Sequence, residues 1–176
     1  IAAAGRIYAG PPDPAGGSAV LGAAVGSEPA WAQQLLGRDG RPPFFHTVGQ
    51  NWMRYHAFEP DPPQGTGPLT FDFERDPARL AAAAARAGFS PDLSRFAARD
   101  GRLILHHGWA DESLQPSHTL HFWRQALLAN GGEERLHRFA RLFMLPGVGH
   151  CGGGAGAGDV DYLSAIERWV EQDEAP

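Results

Sequence analysis

Two short apolar runs organise the second half of the chain. Leu103-Ile104-Leu105-His106-His107 is one, and Arg141-Leu142-Phe143-Met144-Leu145 is the other, stopped by Pro146-Gly147. Unbroken runs of this kind suit parallel strands buried on both faces. Between them, Ser117 follows Pro116 and suits a helix N-cap. Leu120, then Trp123 or Phe122, then Leu127 recur at helical spacing, and Asn130-Gly131-Gly132 ends the segment. After the second run comes a glycine-rich loop from Gly149 to Gly158. Asp159 or Asp161 then opens a last helix with Tyr162, Leu163, Ile166, Trp169 and Val170 on one face. The order strand, helix, strand, helix predicts an α/β fold: a βαβα unit with a right-handed crossover, at the far edge of a doubly wound sheet.

The first half has a different texture. Residues 1–70 are rich in Gly, Pro and Ala, with aromatics such as Tyr8, Trp31, Phe44, Phe45, Trp52, Tyr55 and Phe58 scattered among them. Helical periodicity is poor except from Pro29 to Leu36 and from Phe44 to Phe58. Such a segment needs another surface to pack on and reads as an excursion or lid. Residues 76–88, centred on Ala81 to Ala85, are expected to form one short helix on propensity.

Composition narrows the class. The 176 residues are 43% hydrophobic and 20% charged, which is globular rather than disordered. The net charge is -5 and every cationic side chain other than histidine is an arginine, with no basic stripe to suit nucleic acid. No apolar run is long enough to span a bilayer. The chain starts at Ile1 without the charged and apolar regions of a signal peptide, so the expectation is that it begins mid-protein. Its single cysteine, Cys151, is then either a free thiol or one whose partner lies in a missing segment.

The candidate chemistry sits where a parallel sheet binds ligands, beyond the carboxyl ends of its strands. Asp111 follows the first predicted strand and His150 the second, which puts both on loops at one edge of the sheet. There an aspartate can hold an imidazole in one tautomer, and the histidine can take a proton from a serine hydroxyl and return it to a leaving alcohol. The bland alternative is a turn aspartate and a solvated loop histidine. No G-x-S-x-G elbow exists in the chain. Ser18 and Ser27 each have glycine on one side only, and Ser113 and Ser117 follow the acid, which breaks the order serine, acid, histidine.

These stretches carry a resemblance. Leu103-Ile104-Leu105-His106-His107-Gly108-Trp109-Ala110-Asp111 resembles the acid-bearing strand and loop of the tannase and feruloyl esterase family. Arg141 to Gly154, with Pro146-Gly147-Val148-Gly149-His150-Cys151-Gly152 at its centre, resembles that family's histidine loop. Ile166 to Glu171 is similar to its last helix, and Ile7-Tyr8-Ala9-Gly10-Pro11 and Gly26-Ser27-Glu28 with Trp31 to its lid. The resemblance implies a partial α/β-hydrolase fold, with residues 1–75 in the lid or insertion and 76–176 in the C-terminal portion of the catalytic domain. It implies Asp111 as triad acid, His150 as triad base, and Cys151 in a disulfide to a cysteine just before the nucleophilic serine. The family's Gly-Cys-Ser elbow is absent, so the serine is expected upstream of Ile1. The calcium-binding loop of the family's lid is expected there too, and no cofactor is expected within these residues. The implied activity is hydrolysis of phenolic acid esters, small aromatic substrates, by a secreted or periplasmic enzyme. This stretch alone would be inactive. The rivals are a non-catalytic binding or structural module derived from a hydrolase edge, and a thioesterase or peptidase on the same scaffold.

Other residues suit simpler roles. His118 and His121 are three apart, but a third metal ligand of suitable geometry is not evident, so no metal site is expected. His106 and His107 are expected at the strand end, one packed and one facing the site. Trp109 is expected to pack under the acid's loop, the aromatics from Phe44 to Phe58 to form a small core, and Arg54 to face solvent.

Overall fold

The computed structural model describes residues 2–10 and 22–176. Contacts divide the chain into two compact units. One holds the described residues up to Ala23 together with Glu28–Phe89, and the other holds Ala24–Ser27 with Ser90–Pro176.

The second unit contains the sheet. Strands β1 (Leu103–Gly108) and β2 (Ala140–Leu145) pair in parallel, with Leu103 opposite Ala140 and Gly108 opposite Leu145. Between them run α6 (Pro116–Ala129) and the short α7 (Glu133–Leu136), and α8 (Tyr162–Gln172) follows β2. The expected strand–helix–strand–helix order is therefore present, with α7 as an addition. Parallel strands cannot be joined by a hairpin, and the α6–α7 stretch supplies the crossover. Ala126, Leu136, Phe139 and Ala140 form the buried centre, flanked by Leu93, Ala97, Leu103, Trp123 and Leu127.

Of the local expectations for α6 and α8, the Ser117 cap and the α8 face are corrected, while the ends at Asn130 and Asp161 are as expected. The cap of α6 is Gln115, and Pro116 takes the first helical turn, where its missing N–H costs nothing; Ser117 Oγ is buried without a hydrogen-bond partner. Asn130 does more than end α6. Its side chain accepts from Leu93 N–H at 3.0 Å and donates to the carbonyls of Pro91 at 2.8 Å and Ala126 at 2.7 Å, which ties the segment before β1 to the helix end. On α8 the cap is Asp161, whose side chain accepts from Ser164 N–H at 2.9 Å. Trp169 is the buried anchor of that helix, whereas Leu163 and Val170 are exposed. They lie roughly 120° and 100° round the axis from Trp169, which is too far to share its stripe.

In the first unit, α1 (Ala2–Ala9) is an alanine-rich helix that hydrophobic periodicity did not reveal. Helix α2 (Phe44–Trp52) continues into a π-helical stretch over Met53–Ala57. Met53, Ala57 and Phe58 are buried, with Phe71 and Leu80 packed against them. Only part of the expected aromatic core is thus core, because Phe44, Trp52 and Tyr55 are exposed. The single helix expected over 76–88 is broken at Leu80 into α3 (Asp76–Arg79) and α4 (Ala81–Ala87). Leu80 packs on the Met53 cluster and Arg86 pairs with Glu59 at 3.0 Å, so these helices belong by contact with the first unit. A further short helix, α5 (Ser94–Ala97), opens the second.

Candidate active site

The site grows from the carboxyl ends of β1 and β2. The turn after β1 and the loop after β2 are joined by main-chain bonds: Trp109 N–H donates to Leu145 O at 2.9 Å, and Ala110 N–H to Val148 O at 3.0 Å. This contact requires glycine at 108, because a Cβ there would stand 2.1 Å from the Val148 carbonyl oxygen. The glycine-rich loop then folds back through a bridge between Val148 and Gly154. Gly154 has a φ of 85°, in the left-handed region that favours glycine.

Asp111 is buried at the head of this turn. Its Oδ1 accepts from Ser113 N–H at 2.7 Å and from Leu114 N–H at 2.8 Å, the bonding of an aspartate to the backbone two and three residues on. Its Oδ2 lies 3.1 Å from His150 Nδ1 and 3.0 Å from His107 Nε2. Burial pushes the Asp111 carboxyl up, but the Leu114 amide, the His150 ring and the Ser113 amide outweigh it and leave the group below its ordinary value. An ionised acceptor-only carboxylate is the form these donors favour.

The His150 side chain is partly exposed. Its backbone is held as well, since His150 N–H donates to Glu112 Oε2 at 3.1 Å. Adjacent residues of the turn therefore grip one histidine, Asp111 by its ring and Glu112 by its main chain. Sequence reasoning missed Glu112, because a glutamate beside an aspartate carries the pattern of any solvated pair.

A cleft of about 320 Å³ opens here, lined among others by His107, Asp111, Leu114, Leu145 and Cys151. Cys151 is exposed, and its backbone has a φ of 58°. Both His106 and His107 line this cleft, so the expected division into one packed and one facing the site is corrected; His106 is the more exposed and stacks on Tyr162 with ring centroids 4.2 Å apart. Trp109 is 42% exposed rather than packed under the loop; Ala110 is the buried neighbour. Ser27 is buried and its hydroxyl donates to Ala24 O at 2.5 Å. Ser18 lies outside the described residues. Arg54 sits over the Tyr55 ring at 5.3 Å. Among the described residues, no group of three or more His, Cys, Asp and Glu side chains is placed to hold a metal ion, and no helix is long and apolar enough to cross a membrane.

Fold and geometry together define a parallel α/β unit that presents an aspartate–histidine pair at the carboxyl ends of adjacent strands. Comparison with known proteins places that unit. The family model "Tannase and feruloyl esterase" matches residues 3–176. The mono(2-hydroxyethyl) terephthalate hydrolase of Piscinibacter sakaiensis is 32% identical over 140 residues, covering 72% of this chain and 23% of that protein. A probable feruloyl esterase of Arthroderma benhamiae is 38% identical over 91 residues, covering 51% of this chain and 17% of that protein. The crystal structure of feruloyl esterase B from Aspergillus oryzae is similar in fold, with a TM-score of 0.74 and 23% identity, covering 97% of this chain and 36% of that one. The chain belongs to the tannase and feruloyl esterase family. It spans about a quarter or less of the length of the two relatives named here.

Proposed function

We propose that this chain is the acid- and base-bearing part of a serine carboxylic ester hydrolase of the α/β-hydrolase type, acting on phenolic acid esters through an acyl-enzyme. The observation that carries the reading is the approach of His150 Nδ1 to Asp111 Oδ2, at 3.1 Å, with the other carboxylate oxygen fixed by two backbone amides. A carboxylate so held favours hydrogen on Nδ1 and leaves the Nε2 lone pair to act as a base. In the proposed reaction a serine hydroxyl attacks the ester carbonyl and its proton passes to His150 Nε2. The proton then goes to the departing alcohol oxygen as the carbonyl–oxygen bond breaks. Water, deprotonated by the same nitrogen, releases the acid from the acyl-serine.

The serine is proposed to come from sequence beyond these 176 residues, since no G-x-S-x-G elbow is present in them. Cys151, next to His150, is proposed to bond to a cysteine beside that serine and so to fix the spacing of base and nucleophile. Secretion or export to the periplasm goes with that bridge. Feruloyl, galloyl and terephthalate monoesters are the proposed substrate range, the first and last in keeping with the named activities of relatives.

The test is hydrolysis of methyl ferulate by the complete protein carrying this chain. His150→Ala and Asp111→Asn should each lower kcat/KM by roughly 10³-fold or more. Undiminished hydrolysis in the His150 variant would refute its role as base.

A further inference from the structure

The acid of the pair has a second imidazole beside it, and the proposed function gives that ring no part. His107 is the penultimate residue of β1 and its side chain is 12% exposed. Nδ1 lies 2.6 Å from Thr119 Oγ1 on α6. Nε2 lies 3.0 Å from the Leu114 carbonyl oxygen and 3.0 Å from Asp111 Oδ2. Two acceptors therefore face Nε2, and neither can donate. The neutral ring must carry its hydrogen there, which leaves Nδ1 to accept from the Thr119 hydroxyl.

The contacts close a ring. Leu114 N–H donates to Asp111 Oδ1 at 2.8 Å, Leu114 O accepts from His107, and His107 Nε2 borders Asp111 Oδ2. The 111–114 turn buries Asp111 at its start and leaves Leu114 58% exposed at its end. His107 is what anchors the turn's carbonyl to the strand, and Thr119 is what fixes the tautomer that lets it do so.

We propose that His107 is a positioning residue for the acid: by clamping the Leu114 carbonyl and bordering Oδ2, it holds the Asp111 carboxylate in the orientation that meets His150. This rests on the reading of Asp111 and His150 as an ester hydrolase's acid and base. His107 acts through Asp111 and not on the ester, so its loss should fall on kcat and leave KM nearly alone.

The experiment uses the complete protein and methyl ferulate. His107→Ala should lower kcat by roughly 10- to 100-fold, the scale on which a small misplacement acts, with KM changed by less than about threefold. His107→Gln, whose amide can donate at a similar reach, should recover to within about fivefold of the parent, and Thr119→Val should fall between the two. Nitrogen-15 NMR of histidine-labelled protein at neutral pH should show His107 as the Nε2–H tautomer, and this reading stands even where the alanine variant fails to fold. An unchanged kcat in the alanine variant would overturn the proposal. So would a loss confined to KM, a glutamine variant no better than alanine in a folded protein, or an Nδ1–H tautomer. The two readings fail differently. An active His150→Ala enzyme sinks the acid–base assignment, whereas an inactive one beside an unaffected His107→Ala enzyme sinks only the positioning role.

Discussion

Gly108 lets the acid's turn and the histidine's loop meet. A methyl group there would enter the Val148 carbonyl, which is backbone and cannot swing aside. Gly108→Ala should destabilise the protein by about 1–3 kcal/mol in urea unfolding, the usual cost of overpacking. It should also lower activity, because it forces apart the loops that carry Asp111 and His150. Gly5 in α1 is the control, since nothing lies within 4 Å of a Cβ there. Gly5→Ala should be neutral or stabilise by up to about 1 kcal/mol, because alanine loses less freedom on entering a helix. A Gly108 variant as stable as the Gly5 variant would mean that the loop after β2 can relax away from β1.

Helices α8 and α3 each bury one side chain. Trp169 is buried, with the Arg141 guanidinium 4.9 Å and the Arg102 guanidinium 5.9 Å from its ring. Trp169→Ala should cost about 3–5 kcal/mol, whereas Val170→Ala, one position on and exposed, should cost about 0.5 kcal/mol or less. On α3 the buried Asp76 accepts from Arg75 Nε at 3.0 Å and Arg79 Nη1 at 2.8 Å, and also from the Asp72 backbone N–H at 3.0 Å. The Arg75 guanidinium first, then the Asp72 amide and Arg79, hold its carboxyl well below the usual range. A depressed folded value means that the ionised form stabilises the fold above the unfolded carboxylate range, and that this contribution is lost as pH falls. Asp76→Asn should therefore lower the thermal midpoint at neutral pH, and the gap from the parent should narrow from about pH 4 downward. A gap that stays constant to strongly acidic pH would show that charge has no part in it.

At the scale of the molecule, the described sheet has two strands, each with one neighbour, and one exposed thiol stands beside the candidate base. If the proposed bridge exists, Cys151 in the complete, unreduced protein should resist alkylation and appear in a disulfide-linked peptide by mass spectrometry. The 176-residue chain, whose single cysteine is exposed, should alkylate at once. A freely alkylated Cys151 in the complete protein would remove the bridge and leave the acid–base pair untouched.

Local chemistry determined much of this protein from its sequence. The apolar runs at 103–107 and 141–145 marked two parallel strands, as expected of unalternating segments, but in the structure only Gly108 and Ala140 are buried and the other strand positions are half-buried or, at His106, exposed. Their spacing set Asp111 and His150 on loops at one edge, and the motifs around them carried the family. Only the tertiary structure decided what those loops do to one another. That Leu163 and Val170 are exposed depends on what packs against α8, and that residues 76–87 break at Leu80 depends on the Met53 cluster. That His107, Leu114 and Thr119 converge on the acid depends on a strand, a turn and a helix meeting in space. No residue in that set carries a local signal for the others, because hydrogen bonds between elements depend on distance in the fold and not on separation along the chain.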